Sequence, residues 1–203
     1  CRPHPHTDEP LVTDPILRSP VVVFDTETTG FTKDPDARAW EIAAVLIDRD
    51  GTELGSFSAV MRPPVWTRDA DAALKIGGVT RAEVEGFPPH EAAIADLRAW
   101  LATIPAEAVY TAFNVDFDRP ILARYDIRPP WGPCVMRAVQ GVMGKAGALP
   151  VFASGDYKYP KLSEAAAFYG VPAQEPAHRA LADARTAALV LVAAKKRATF
   201  TPT

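Results

Sequence analysis

The hydrophobic pattern becomes strand-like near residue 20. The run 21–24 is continuous and apolar, as in a strand buried on both faces, and it ends at Asp25. Two further apolar runs, 41–47 and 54–61, flank the turn-forming sequence 48–51, an arrangement typical of an antiparallel hairpin. The pattern therefore predicts three successive strands in a meander.

Helical spacing of apolar residues follows this meander. The segment 88–105, bounded by prolines, has apolar side chains three and four positions apart and predicts a helix. A short strand over 108–112 then leads into a helix over 118–125. Two more helices are predicted over 162–169 and 181–197. This order of elements predicts an α/β fold with a mixed sheet flanked by helices.

Two parts of the chain show neither the strand-like nor the helical spacing of apolar residues. Residues 1–19 contain several prolines among polar side chains, and we expect a flexible N-terminal tail. Residues 132–160 are rich in glycine and proline, which predicts a loosely structured segment with one short helix near 136–143. The predicted organisation is one domain over 20–197 and a short C-terminal tail over 198–203.

Composition and charge narrow the class of protein. A chain of 203 residues with 48% apolar content can bury one sizeable core. Its net charge of −3 disfavours a non-specific nucleic-acid coat protein, so any contact with a polyanion must be local. Cys1 and Cys134 do not suggest a disulfide framework, which favours a reducing, cytoplasm-like compartment. No apolar run approaches the ~20 residues that span a bilayer, so we expect no membrane association.

Two carboxylates stand at the end of the first predicted strand. Asp25 and Glu27 are two positions apart, and the period of a strand points both side chains to the same side. Their repulsion would raise one pKa unless a cation is shared, and hard oxygen ligands select Mg²⁺ or Mn²⁺. The alternative is that the pair merely caps a strand in solvent.

Further acidic residues stand where the short strand 108–112 passes into a helix. This strand-to-helix transition would bring Asp116 and Asp118 to the carboxyl edge of a sheet, where ligands bind in α/β folds. The alternative is that one of the two residues is a helix N-cap without a catalytic purpose.

A histidine and an aspartate mark the start of the last predicted helix. Five residues of helix rotate by about 500°, so His178 and Asp183 would not share a face if both were helical. We expect Asp183 to point inward from the helix and His178 to stand in the preceding loop, free to approach a water molecule. The alternative is a surface histidine followed by an exposed aspartate in the first helical turn.

Together these residues form three ordered motifs. They are D-T-E-T-T-G at 25–30, N-x-x-F-D at 114–118 and H-x-A-L-x-D at 178–183. In this order they resemble the motifs of the DEDD exonuclease superfamily, in the histidine-containing branch with the proofreading subunits of bacterial DNA polymerase III. The segments 41–43 and 76–80 are similar to the E-I-A and I-x-G-I-T segments of that family.

The resemblance, which covers about residues 20–195, implies a ribonuclease-H-like fold and two-metal hydrolysis of a terminal phosphodiester by Mg²⁺ or Mn²⁺. It implies that His178 is the general base. It also selects Asp118 over Asp116, because the family aspartate follows a residue that is Phe117 here. The implied metal ligands are Asp25, Glu27, Asp118 and Asp183.

The resemblance also implies residues that touch the terminal nucleotide. Phe113 and Gly77 stand where the family often has a histidine, so we expect the nucleotide contacts to differ at these two positions. Neither change affects an implied metal ligand. The implied substrate-binding residues are Thr26, Thr28, Ile76, Asn114 and Phe117.

The function implied by the motifs is a 3′-to-5′ exonuclease that releases nucleoside monophosphates from 3′ ends, single-stranded or frayed, with DNA as the favoured substrate. A DNA polymerase or another replication or repair protein is an implied partner, and proofreading or DNA repair an implied role. An exoribonuclease that trims RNA or degrades oligonucleotides would share every catalytic residue. A non-catalytic nucleic-acid-binding subunit would lack a ligand or the histidine, and all five residues are present.

Overall fold

Four strands and seven helices make up the part of the chain that the structure describes. This computed structural model describes residues 17–172, 174–175 and 178–199. The strands are β1 Val21–Thr28, β2 Ala39–Ile47, β3 Glu53–Val60 and β4 Val109–Ala112. The helices are α1 Ala70–Ile76, α2 Arg81–Glu85, α3 His90–Leu101, α4 Val115–Ala123, α5 Val135–Lys145, α6 Leu162–Tyr169 and α7 Ala180–Thr199.

The strands form one mixed sheet in the order β3-β2-β1-β4. β1 pairs antiparallel with β2 and β2 pairs antiparallel with β3, so the predicted meander is confirmed. β4 returns after α1 to α3 and pairs parallel with β1. The predicted α/β class with flanking helices is therefore confirmed, and the carboxyl ends of β1 and β4 meet at one edge of the sheet.

Side chains of β1 alternate between two hydrophobic cores. Val22 and Phe24 pack with residues of α3 and α4, whereas Val21 and Val23 pack with residues of α5, α6 and α7. β1 runs past its predicted end at Asp25 and continues to Thr28. By the two-residue period of a strand, the carboxylates of β1 therefore belong to the face that α7 covers.

The two short helices α1 and α2 have no counterpart in the sequence prediction. Leu74 of α1 and Val84 of α2 pack on the fully buried Trp40 of β2. A capping box starts α2, in which the backbone N–H groups of Thr80 and Glu83 each donate to the other's side chain. Helices this short are marginal alone, so tertiary packing stabilises both.

Three other boundaries differ from the prediction. α4 begins at Val115, three residues before the predicted start, which places both nearby aspartates in its first turn. The helix expected near 136–143 is present as the longer α5, but the rest of 132–160 is better anchored than expected, because Gln140 Nε2 donates to the carbonyl oxygen of Tyr157 at 2.6 Å. Leu17, within the predicted tail, is buried, while residues 1–16 and 200–203 lie outside the described residues.

A helix that crosses a bilayer needs about 20 predominantly apolar residues. Within the described ranges, no helix is long and apolar enough to cross a bilayer.

Gly77, directly after α1, leaves room for the indole of Trp40, because a Cβ atom on Gly77 would approach Trp40 Cζ2 to 2.5 Å. We predict that Gly77→Ala destabilises the fold by about 1–3 kcal/mol through overpacking. The matched control is Gly141→Ala in α5, where a Cβ meets open space and should stabilise the helix by about 0.4–1 kcal/mol. Urea denaturation of both variants measures the difference. Equal stability of the two would show that Trp40 does not pack against Gly77.

Candidate active site

The three sequence motifs meet at the edge of the sheet where β1 and β4 end. Asp25 and Glu27 come from β1, Asp118 from the first turn of α4, and Asp183 from the first turn of α7. Asp25 is close enough to the other three carboxylates for each of them to raise its pKa. The structure thus brings together four acidic residues that are up to 158 positions apart in sequence, from Asp25 to Asp183.

The electrostatics of this acidic cluster disfavour four negative charges. Burial raises the pKa of Asp25 well above its usual range, and the neighbouring carboxylates, Asp118 first, raise it further. Burial also raises the pKa of Glu27 to about 7, assisted by the charges of Asp183 and Glu41 and opposed by Arg179. Without a countercharge, the cluster therefore holds protons near neutral pH.

Asp118 is the most enclosed of the four carboxylates. Its side chain is 3% exposed, and burial raises its pKa to about 7. The hydroxyl of Thr26 donates to Asp118 Oδ1 at 2.9 Å, which partly offsets that effect and fixes the carboxylate. Thr26 thus contacts a cluster residue directly, a role that the sequence did not indicate.

Asp116 is separate from the cluster, although it lies in the same turn of α4. It is exposed, and its carboxylate accepts a hydrogen bond from Arg137 Nη2 at 2.6 Å and lies 3.6 Å from Arg119 Nη2. Asn114, at the N-cap position of α4, makes no side-chain capping bond. The structure thus brings Asp118 into the cluster and leaves Asp116 outside it.

His178 stands at the exposed side of the cluster, before α7 begins. Its backbone has φ 59°, a left-handed conformation that is uncommon for a residue other than glycine. Ligand atoms of Glu27, His178 and Asp183 all lie within 4.8 Å of one another, a group that could hold a metal ion. Geometry alone therefore permits His178 to act either on a water molecule or as a ligand.

An open cavity of about 390 Å³ adjoins Glu27. Its lining includes four of the five residues expected to bind substrate, namely Thr26, Thr28, Ile76 and Phe117, but not Asn114. Phe31 and Thr67 also line the cavity, and the sequence did not indicate either residue. Ile76 and Phe31 are exposed by 64% and 73%, so two large apolar side chains border the opening.

The loop that carries Phe31 is tied to the rest of the domain. Thr67 Oγ1 donates to the carbonyl oxygen of Thr29 at 2.5 Å, and Arg124 Nη2 donates to that of Thr32 at 2.8 Å. These contacts join residues 38 and 92 positions apart. Hydrophobic periodicity reports local structure only, which is why these residues gave no signal in the sequence.

Arg179 and Glu41 form an ion pair beside the cluster that the sequence also did not indicate. Glu41 lies on β2 directly opposite Glu27, and its side chain is only 3% exposed. Arg179 Nε donates to Glu41 Oε2 at 2.9 Å and Arg179 Nη2 to Oε1 at 3.0 Å. A signal was available, because two glutamates that are paired across neighbouring strands require a countercharge.

Solved structures share this fold at low sequence identity. Cell-death related nuclease 4 superposes with a TM-score of 0.62 at 15% identity, covering 86% of this chain and 62% of that one. E. coli exonuclease I in complex with a dA16 oligonucleotide superposes with a TM-score of 0.67 at 21% identity, covering 89% of this chain and 41% of that one. A 3′-exonuclease described with a histone mRNA stem-loop superposes with a TM-score of 0.65 at 13% identity, covering 89% of this chain and 65% of that one. The chain thus spans less than two thirds of the length of each of these proteins.

No curated protein matches the chain in sequence. A family model does: the RNase T model, described as an exonuclease, matches residues 22–191. The matched region contains all three motifs and all four carboxylates of the acidic cluster. The chain therefore belongs to the RNase T family of exonucleases, enzymes that hydrolyse phosphodiester bonds.

Proposed function

We propose that this protein is a metal-dependent 3′-to-5′ exonuclease that releases nucleoside monophosphates from the 3′ ends of DNA. The observation that carries the proposal is the convergence of four carboxylates, from three separate parts of the chain, beside an open cavity. Family membership supports the reaction class. The presence of all five motif residues at one edge argues against a non-catalytic subunit.

The donor set fits two divalent cations. We propose Asp25, Glu27, Asp118 and Asp183 as their ligands, because oxygen donors select Mg²⁺ or Mn²⁺ and the raised pKa values mark a site that lacks positive charge. Bound cations would lower the pKa of a water molecule and neutralise charge on the phosphorus oxygens. A solved form of E. coli exonuclease I with DNA is described as bound to zinc, so a relative accepts a divalent ion.

The remaining steps belong to side chains of this protein. We assign His178 as the general base, since it is exposed at the cluster and a ring nitrogen can accept a proton from an incoming water molecule. This assignment places the protein in the histidine branch of the superfamily. Thr26 holds the Asp118 carboxylate in place during the reaction.

The cavity is the proposed site of the 3′-terminal nucleotide. The residues that line it include Thr26, Thr28, Ile76 and Phe117. Its exposed apolar rim can stack on any of the four bases, as expected of an enzyme that recognises phosphate and sugar and not base sequence. We keep Asn114 as a substrate residue at the start of α4, although it does not line the cavity. Because the cluster is acidic, phosphate binding depends on loaded cations.

The choice of DNA over RNA rests on the motif resemblance. The solved relatives include complexes of exonuclease I with DNA oligonucleotides and an exonuclease described with a histone mRNA stem-loop. An RNA-trimming exoribonuclease is therefore the second candidate. The proposal has three further parts. The role is proofreading or DNA repair, the partner is a DNA polymerase or another replication or repair protein, and the location is cytoplasmic.

The function is tested with 5′-labelled DNA and RNA of the same sequence, single-stranded and duplex. With Mg²⁺ or Mn²⁺, we expect a product ladder that shortens from the 3′ end, faster on DNA, and no products in excess EDTA. Asp25→Ala and Asp183→Ala should abolish the ladder, whereas Asp116→Ala, the matched control outside the cluster, should retain it. Internal cleavage, or activity in EDTA, would overturn the proposal, and faster loss of RNA would select the exoribonuclease.

The raised pKa values predict how pH affects the metal-free fold. Folding raises the pKa of Asp118 from 3.8 to about 7, so its contribution to stability is full below pH 3.8 and is lost as pH rises through 7. We expect Asp118→Asn, which stays neutral and still accepts from Thr26, to melt above the unmodified protein at pH 8 in EDTA. This gain in melting temperature should shrink towards pH 4. In a domain of this size, a stabilisation of about 1 kcal/mol raises the melting temperature by about 2–4 °C. A pH-independent gain would contradict this account.

The role of His178 is tested by separating catalysis from metal binding. We predict that His178→Ala loses about 10²- to 10⁴-fold in turnover, as for a positioned base, while Mn²⁺ still raises its melting temperature. The defect should shrink at alkaline pH, where water loses its proton more readily, and the loss in Asp118→Ala should not. Should His178→Ala lose the Mn²⁺-induced rise instead, His178 is a ligand.

A further inference from the structure

The start of α7 is attached to the centre of the sheet by one carboxylate. Glu41 of β2 accepts hydrogen bonds from Arg179 Nε, from Arg179 Nη2 and, at 3.3 Å, from the backbone N–H of Ala180. Ala180 is the first residue of α7, whose first N–H groups have no partner within the helix. Glu41 of β2 therefore caps the N-terminus of α7 from 139 positions earlier in the chain.

This attachment lies between His178 and Asp183, the two functional residues of the third motif. His178 precedes Arg179 directly, and the carbonyl oxygen of Arg179 accepts the backbone N–H of Asp183 at 3.0 Å. His178 is also held at φ 59°, a conformation that persists only where surrounding contacts enforce it. Movement of Arg179 would thus move both His178 and Asp183.

Charge points to the same role. Glu41 faces Glu27 across neighbouring strands, and like charges in that arrangement repel each other. Arg179 engages both oxygens of Glu41 and so places a positive charge at the residue that faces Glu27. A bidentate guanidinium suits this task, because its planar fork matches a carboxylate and fixes the angle between them.

We propose that Arg179 and Glu41 are positioning residues for hydrolysis: their half-buried ion pair sets where His178 and Asp183 stand relative to β1. The inference rests on the proposed function, and neither residue is assigned a contact with substrate. An alternative is that the pair only stabilises the fold.

The helix α7 offers a matched control. Arg185 Nε and Nη2 donate to the two carboxylate oxygens of Glu53 at 3.0 and 2.8 Å, so a second bidentate pair joins α7 to β3 away from the cluster. We would compare Arg179→Met with Arg185→Met in kcat, KM, melting temperature and the Mn²⁺ concentration that gives half of the thermal shift. We expect Arg179→Met to lose about 10- to 100-fold in kcat and to need more Mn²⁺ for half of the thermal shift, with little change in KM. Arg185→Met should keep both.

A double variant separates positioning from stability. Arg179→Met leaves the Glu41 charge buried and unpaired, and adding Glu41→Gln removes that charge, so the double variant should regain melting temperature. If the pair positions the site, kcat stays low in the double variant, because the link between β2 and α7 is still missing. Arg179→Lys, which keeps the charge but not the fork, should recover only part of kcat.

Recovery of kcat together with melting temperature in the double variant would overturn the inference, as would equal effects of the Arg179 and Arg185 variants. If the unmodified protein shortens no nucleic acid, the proposed function fails. The Mn²⁺-induced thermal shift then decides the inference, because Arg179→Met must weaken it and Arg185→Met must not.

Discussion

The structure is organised around the repulsion between carboxylates that share one edge of the sheet. Asp25, Glu27, Asp118 and Asp183 are gathered there, and Glu41 adds a fifth acidic group behind them. An apolar core alone would not tolerate this arrangement, since burial disfavours each charge. Separate contacts stabilise separate carboxylates. The hydroxyl of Thr26 donates to Asp118, and the guanidinium of Arg179 donates to Glu41. The cluster is also open towards solvent on one side, where cations can enter.

Two aspartates in one helical turn show how environment separates residues of the same type. Asp118 is buried, and its pKa is raised to about 7. Asp116 points outwards and is paired with Arg137 and Arg119. Residues two apart on a helix face nearly opposite directions, so one carboxylate joins the cluster and the other becomes part of the surface.

Much of this arrangement could be predicted from sequence, because its signals are local. The apolar run of β1 and the helical spacing of α6 follow from patterns of a few residues, and three short motifs sufficed to select the acidic cluster. The helices α1 and α2 were missed because their stability comes from Trp40, on a strand well before them. The Arg179–Glu41 pair was missed for the same reason, since 138 positions separate the two residues.

The attachment of α7 has a consequence for the conformational equilibrium of the protein. The meander, α4 and most of the cavity wall belong to earlier parts of the chain, whereas Asp183 and His178 reach them only when α7 lies against β1 and β2. Single helices can detach in local unfolding reactions that leave the rest of a domain folded. In such an open state the protein would retain its sheet and lose the complete acidic cluster. The free energy of detaching one helix thus sets the fraction of molecules in which the cluster is complete at any moment.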